Sequence, residues 1–476
     1  MGNFHFDRNN IQLESVNINK QSINTLSVKN TIIDISLSAL YIFAGFYINN
    51  FLLLTLLFVV FTLLRGSSFL YFGLLFTPII ELMSLVYEGF TITRLIIPFA
   101  IIYLLFKNNF RIKIDKITVL FLSISIFYLF SPLVGLINGN LILLDSIYPW
   151  ITTIPKAIDS SLTAFLKVIT GLILYLSIQK DKDFDLDFFS LNVSAGLLIL
   201  IILLIIRGIT SYSSSWYGAV VRYTFIGQNS NELSIMLSVL SIFSLNAIIV
   251  ANRYLKIIPI ASYMGVLYIL SYMLSKAGFI GFIVGLITFI IYSDSFKSRI
   301  HRYLFSIIIV CILCFSFFLN PTGFKGLLFR FSSEYTGGTL SGLTTHRSDF
   351  IGPAILGFLK RPFFGWGPSG EILVNFYYTG ISYVTHNTFL EVLVNNGLIC
   401  FSLWIILLFY SFFRNNSRLS IIIILVLVIC SMSGSLATQD FLWIMWGFAL
   451  GIASSGSGSN WSVLAHKNNW LHRLFF

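Results

Sequence analysis

Charge is what this 476-residue sequence has least of: Asp, Glu, Lys and Arg make up 10% of it, against 57% hydrophobic residues. A soluble globular domain carries about 25% charged residues, so this chain lacks the polar surface to face water all round. Cysteine is scarce too. Cys311, Cys314, Cys400 and Cys430 all lie in apolar runs, which excludes a disulfide framework. Cys311 and Cys314 form a CxxC, but with no second pair and no histidine nearby they read as small core residues of a helix. No internal repeat is visible, so a transporter built from duplicated halves finds little support. The first thirty residues carry Asp7, Arg8, Glu14, Lys20 and Lys29. They lack the apolar core and cleavage site of a signal peptide, so the first spanning helix is expected to direct insertion.

What is there is a succession of apolar runs long enough to cross a hydrocarbon core. They read as spans near 31–48, 50–64, 67–87, 90–106, 117–137, 161–179, 190–207, 231–250, 257–274, 277–293, 303–319, 386–412, 418–433 and 437–453. The fold class expected is all-α, a polytopic integral membrane protein of about 14 transmembrane helices. Residues 1–453 form a single transmembrane domain. The tail, 454–476, opens on the flexible SSGSGSN and ends as either a native amphipathic segment or partly an expression remnant.

Net charge is +11, yet the basic residues sit in short clusters between apolar runs rather than in a nucleic-acid patch. With the N-terminus in the cytoplasm, Lys107, Arg111, Lys113 and Lys116 fall inside. So do Lys180 with Lys182, Arg253 with Lys256, the group Lys297, Arg299 and Arg302, Arg414 with Arg418, and Lys467 with Arg473. Five loops and the tail agree with one orientation under the positive-inside rule. Three regions then fall outside: 138–160, 208–230 and, longest, about 320–385. Loops of that length are usually functional or disordered, and the last is neither Pro/Ser-rich nor highly charged. Within it, RSDFIGPAILGFLK (347–360) is expected to form a short helix on the outer leaflet, ended by Pro362 and GWG at 365–367.

Basic residues in outer loops run against the topological bias. Three stand out, Arg222, Lys276 and Arg347, each beside Gly, Ser, Thr or Asn. Singly, each is explained by snorkelling to headgroups; together they read as an anion site, since a guanidinium fork matches phosphate oxygens. Only His346 and His386 face outward among six histidines. His386, in THNTFLEVLVNNGLI, opens the twelfth span. A helix N-terminus disfavours a protonated ring, so it is either a proton acceptor or a structural cap. Asn387, Glu391 and Asn395 follow at helical spacing as one polar stripe. For Glu391, packing, orientation of a basic partner and direct catalysis all remain open. Outer acids are few: Asp145, Asp159, Glu334, Asp349 and Glu371. With no Asp-x-Asp motif in an outer loop, no P-loop and no GxSxG elbow, no metal and no cofactor is expected. The aromatics Trp216, Tyr217, Trp366, Tyr377, Tyr378 and Tyr383 read mainly as an interfacial belt, with sugar stacking as the other use.

Three segments of the second half resemble the O-antigen polymerase and O-antigen ligase superfamily. RYTFIGQNSNEL (222–233) is similar to the family's Arg, then Gly, then Asn leading into a helix. HRSDFIGPAILGFLKRPFFGWG (346–367) resembles its Arg-led segment ending in a Pro-x-x-Gly-x-Gly turn, and HNTFLEVLVNNGLI (386–399) its His-Asn-x-x-Leu-Glu helix. The resemblance implies a metal-independent, inverting glycosyl transfer at the outer face, from a saccharide on undecaprenyl pyrophosphate. It implies catalytic roles for Arg222, Arg347 and His386, and substrate contacts for Lys276, Asn229, Asn231, Asn387 and Glu391. Lys276 stands where the family often has Arg, and Cys400 replaces the second glycine of its Gly-Leu-Ile-Gly.

The leading expectation is a Wzy-type polymerase, moving the growing glycan onto a lipid-linked repeat unit. The close rival is the ligase, which passes the same donor to a lipopolysaccharide core. A flippase for the same lipid-linked sugar is the rival of another class. Implied partners are undecaprenyl-pyrophosphate-linked glycans, membrane lipid and a chain-length-determining protein, with no nucleic acid. The location is the inner (plasma) membrane, with both termini cytoplasmic.

Overall fold

The computed structural model describes residues 20–455 apart from 48–49, 84–91, 108–113, 182–183, 208–209, 213–221, 225–229, 253, 293–302, scattered positions between 304 and 319, 333–337, 340–346, 414, 416 and 438. Apolar runs fold here as helices, the conformation that satisfies every backbone N–H and C=O within one segment when water is absent. They are α1 (Lys20–Tyr47), α2 (Phe51–Arg65), α3 (Ser67–Met83), α4 (Ile92–Lys107), α5 (Lys116–Ile137), α6 (Asn140–Ile147), α7 (Ile154–Lys180) and α8 (Leu186–Arg207). After α8 come two short antiparallel strands, β1 (Thr210–Tyr212) and β2 (Arg222–Thr224), with Tyr212 opposite Arg222. Then follow α9 (Ser230–Val250), α10 (Ile257–Met273) and α11 (Lys276–Tyr292).

The segment 320–385 holds more than the one short helix expected of it. It contains α12 (Pro321–Phe329), a 3₁₀ turn Arg347–Phe350, α13 (Ile351–Lys360) and α14 (Gly370–Thr379). The bundle closes with α15 (Thr388–Phe413), α16 (Arg418–Ser431) and α17 (Asp440–Ser454). Among the described residues five helices, α5, α7, α8, α9 and α15, are long and apolar enough to cross a membrane by length and composition. Seven further spans of the sequence reading fall on shorter apolar helices, and 90–106 falls on α4. The expected span 303–319 and the basic cluster at 297–302 lie largely outside the described residues.

The centre is α17, buried along Asp440–Ala453. It approaches α7 at two glycines: a Cβ on Gly447 would lie 1.9 Å from the Gly171 carbonyl oxygen. Small residues at such a crossing let two backbones pack closely, which matters most where no water-driven collapse holds helices together. Trp404, Trp443 and Trp446 stack around α17 with centroids 4.8–5.8 Å apart. Outward faces are apolar, as on α2, where Leu52, Leu56, Leu63 and Leu64 are each more than half exposed. Cys400 and Cys430 are buried, but Cys311 and Cys314 are exposed, so the CxxC pair lies outside the core in which it was expected.

Polar contacts sort the helix ends into two groups. Arg65 donates to both Asp34 oxygens, Lys107 Nζ lies 3.0 Å from Asp181 Oδ2, and Arg418 donates to Tyr292 O at 2.9 Å. All these residues belong to ends that alternate passage puts on one side. At the other end Arg94 pairs with Asp159 at 2.7 Å, and Asn320 Nδ2 donates to Ser271 Oγ at 2.6 Å.

Candidate functional site

The site is organised by a break in α15. Gly397 has φ +74° and ψ −177°, which interrupts the helical hydrogen bonds on both sides. The freed groups find partners in the turn PFFGWG. Trp366 N donates to Val394 O and Gly367 N to Asn395 O, both at 2.9 Å, while Leu398 N donates to Pro362 O at 2.7 Å. The approach is too close for side chains: a Cβ on Gly397 would stand 2.3 Å from Phe363 O, and one on Gly365 2.6 Å from Asn395 O. Such groups cannot be left orphaned in an apolar setting. The Pro-x-x-Gly-x-Gly motif therefore patches a broken helix, and its chemistry is backbone chemistry. Trp366 is part of the patch: its indole donates to Gly357 O at 2.8 Å, and the Arg361 guanidinium lies 4.4 Å from its ring centre.

His386 does not open the helix as expected. Asn387 caps it, its Oδ1 accepting from Phe389 N and Leu390 N at 3.0 and 3.1 Å. His386 stands one residue earlier with φ +50°, a left-handed conformation uncommon outside glycine. Downstream, the helix start is tied to the loop between α16 and α17. Asn387 Nδ2 donates to Met432 O at 3.2 Å, Thr388 Oγ1 donates to Gly434 O at 2.7 Å, and Leu436 N donates to Thr388 Oγ1 at 2.8 Å. Arg347 Nη1 donates to Ser433 O in the same loop. Upstream, the Tyr383 ring meets the imidazole edge-on at 4.9 Å and packs on Phe350 at 5.9 Å, three residues from Arg347. Burial first, and the positive charge of Arg347 second, push the His386 pKa down to about 4. The ring is thus neutral at pH 7 and able to accept a hydrogen bond or a proton.

Arg347, which shares its 3₁₀ turn with Asp349, stands near two further cations. The charges of Arg330 and Arg347 both act on Lys276, whose ammonium lies 5.5 Å from the Phe331 ring centre. Arg330 is 9% exposed and donates to Leu274 O, the left-handed cap of α10. Sequence reasoning missed Arg330. Like Lys276 it is a basic residue in a segment assigned to the outer face, and that signal was there to be read. Asn231 joins this edge, its Oδ1 accepting from Ser275 Oγ at 3.1 Å.

Glu391 sits apart from the cations. It is 5% exposed, and the charge of Glu371, the backbone of Ala437 and, least, the charge of Lys167 act on it. Lys167 itself is 3.0 Å from Asp440 Oδ1, in a largely buried ion pair between α7 and α17. Asn395 faces α14 rather than a shared stripe, accepting from Glu371 N at 2.8 Å. Arg222 is placed by its backbone in β2, which packs against α10. Its side chain, Asn229 and His346 lie outside the described residues.

Residues 259–405, from α10 into the second half of α15, match the family model described as O-antigen ligase, Wzy_C. No curated protein matches the chain. The matched span takes in Lys276, Arg330, Arg347 and His386, while Arg222 precedes it and the 432–436 loop follows it. On this match residues 259–405 form a segment similar to the O-antigen ligase family.

Proposed function

We propose that this protein is a glycan polymerase of about fourteen membrane spans. It transfers a growing saccharide from undecaprenyl pyrophosphate to a lipid-linked repeat unit at the outer face of the inner membrane. The observation that carries the reading is the gathering of Lys276, Arg330 and Arg347 beside a neutral imidazole at one end of the bundle. In the reaction the acceptor hydroxyl oxygen attacks the anomeric carbon as the bond to the pyrophosphate oxygen breaks. Negative charge grows on the leaving group, and fixed guanidinium and ammonium groups stabilise it most where water is excluded. Attack from the face opposite the leaving group inverts the anomeric centre.

His386 takes the hydroxyl proton, a role worth about 10²–10⁴-fold. At a pKa of about 4 it is a weak base. A bound pyrophosphate offsets the charge of Arg347 and moves the ring toward its ordinary value, so base strength rises when the donor is in place. Arg222 completes the anion site from β2, with Asn229, Asn231 and Asn387 as substrate contacts. The cations themselves stabilise the leaving group, so no metal is required.

A ligase uses the same donor and the same residues. The two are separated by deleting the gene: a lost polymerase leaves a single repeat unit attached, a lost ligase leaves none on the core. A flippase needs charges along a path across the bilayer, whereas Lys276, Arg330 and Arg347 collect at one end. The deciding experiment is polymerisation of a purified lipid-linked repeat unit by the purified protein, with and without a chelator. Chain extension that survives the chelator supports the reading; absence of any extension by a folded protein removes the polymerase.

A further inference from the structure

Glu371 is an acid buried where burial is costly. It lies in the first turn of α14 and is 4% exposed. Burial raises its pKa, and two hydrogen bonds from Thr385 act against that rise. Both reach Oε2: the Thr385 backbone N–H at 3.1 Å and the Thr385 hydroxyl at 2.6 Å. One helical turn on, Asn375 is fully buried and donates from Nδ2 to Tyr383 O at 2.7 Å. Residues four apart lie on one face of a helix, so α14 grips residues 383 and 385 through two side chains of a single face.

The next residue is His386. Immediately beyond it Asn387 and Thr388 are tied to Met432 and Gly434. The histidine is therefore the single link between two clamps, one from α14 and one from the α16–α17 loop, and it carries the left-handed φ of +50°. Residues persist in sparsely populated backbone regions only when their surroundings over-determine them. If the upstream clamp opens, φ relaxes to the ordinary negative region and the ring leaves its place between Tyr383 and Arg347. A carboxylate is a poor choice for packing alone, because a neutral side chain fills the same volume without the desolvation cost. Its advantage is an acceptor strong enough to hold an N–H and an O–H at once.

We propose that Glu371 is a positioning residue for the transfer reaction, acting through Thr385 to hold the His386 backbone left-handed and its imidazole in place. This rests on the reading of His386 as the group that handles the acceptor proton. Glu371 touches neither substrate nor leaving group, so its loss moves turnover and leaves donor binding alone.

The test uses the full-length protein in lipid nanodiscs with a purified lipid-linked repeat unit, comparing Glu371→Ala, Thr385→Val, Thr385→Ser and the Glu371→Ala/Thr385→Val pair. Glu371→Ala and Thr385→Val are each expected to lower kcat at least tenfold with KM within twofold of wild type. The pair falls no further than the worse single variant, because both cut one link. Thr385→Ser, which keeps the hydroxyl, stays within threefold of wild type. In a His386→Ala background, Glu371→Ala adds no further loss. Thr385→Val is nearly isosteric and reports even where Glu371→Ala folds poorly. Turnover within twofold of wild type in Thr385→Val, or losses that multiply in the pair, overturns the proposal. Normal turnover in His386→Ala overturns instead the reading of the site beneath it. A full loss in His386→Ala with none in Thr385→Val overturns the positioning role alone.

Discussion

At the end of the bundle that holds Lys107, opposite charges meet; at the end that holds His386, Arg94 pairs with Asp159 and Lys167 with Asp440, but around the histidine several cations gather. Asp34 takes Arg65, and Asp181 takes Lys107 together with the hydroxyls of Ser67 and Tyr71. Asp115 caps α5 and accepts from the Tyr175 hydroxyl. Around His386 the contacts of the cations include the carbonyl oxygens of Leu274 and Ser433 and the ring of Phe331, while Glu371 is turned onto Thr385 and Glu391 lies with Lys167. Paired charges cross-link helix ends. Clustered cations repel one another, and an arriving anion relieves that repulsion. One end is therefore cross-linked by charge, and the other, on the function proposed above, receives the ligand.

The comparison breaks first at the ligand end. Arg347→Ala, His386→Ala and Arg222→Ala are each expected to abolish chain extension, a loss of about 100-fold or more, while insertion and folding persist. Normal glycan length distributions in all three would mean the site lies elsewhere. Smaller is the effect expected of Lys276→Ala: a rise in donor KM of about tenfold, the scale of one charge-assisted contact, with kcat little changed. Measured at two donor concentrations, a pure kcat effect contradicts a binding role.

At the opposite end, Asp34→Ala leaves Arg65 without its acceptor and is expected to cost about 1–3 kcal/mol of stability. Its thermal midpoint falls while turnover per folded molecule stays at the wild-type value; lost turnover at full stability would erase the distinction between the ends.

The smallest expected effect is in pH dependence. His386 has its pKa lowered from 6.5 to about 4, so the free protein keeps it neutral from pH 8 down to about 5. The profile of kcat/KM, which reports the free enzyme, should be level across that range, and an acid limb centred near 6.5 would contradict it. For stability the sign follows: the unfolded chain binds the proton first, so stability from this group is full above about 6.5 and declines toward pH 4.

Periodicity and apolar length located the helices α1 to α5, α7 to α11 and α15 to α17, because each run is bounded by charge or by Gly, Asn and Pro; α6 lies in the region 138–160 read as an outer loop. The motifs around Arg347 and His386 were legible as well. Their division of labour was not. PFFGWG carries no sign that its backbone repairs a helix, since the break at Gly397 lies thirty residues further on. The stripe Asn387, Glu391 and Asn395 suggested one shared surface, yet Asn387 caps α15, Glu391 is buried and Asn395 holds α14. Glu371 looked like one more scarce outer acid, because nothing local shows that Thr385 lies against it. Arg330 was passed over because its partners are distant in sequence.

Composition alone decided that this chain lives with lipid, since so few charges cannot clothe a water-facing surface. The order of its apolar runs decided which ends share a side. Tertiary structure decided which charges cancel and which accumulate, and which residue is bent into a left-handed turn between two clamps. Those outcomes depend on distances between segments remote in sequence. Electrostatic and hydrogen-bond energies follow such distances within a few ångströms, and no local pattern encodes them.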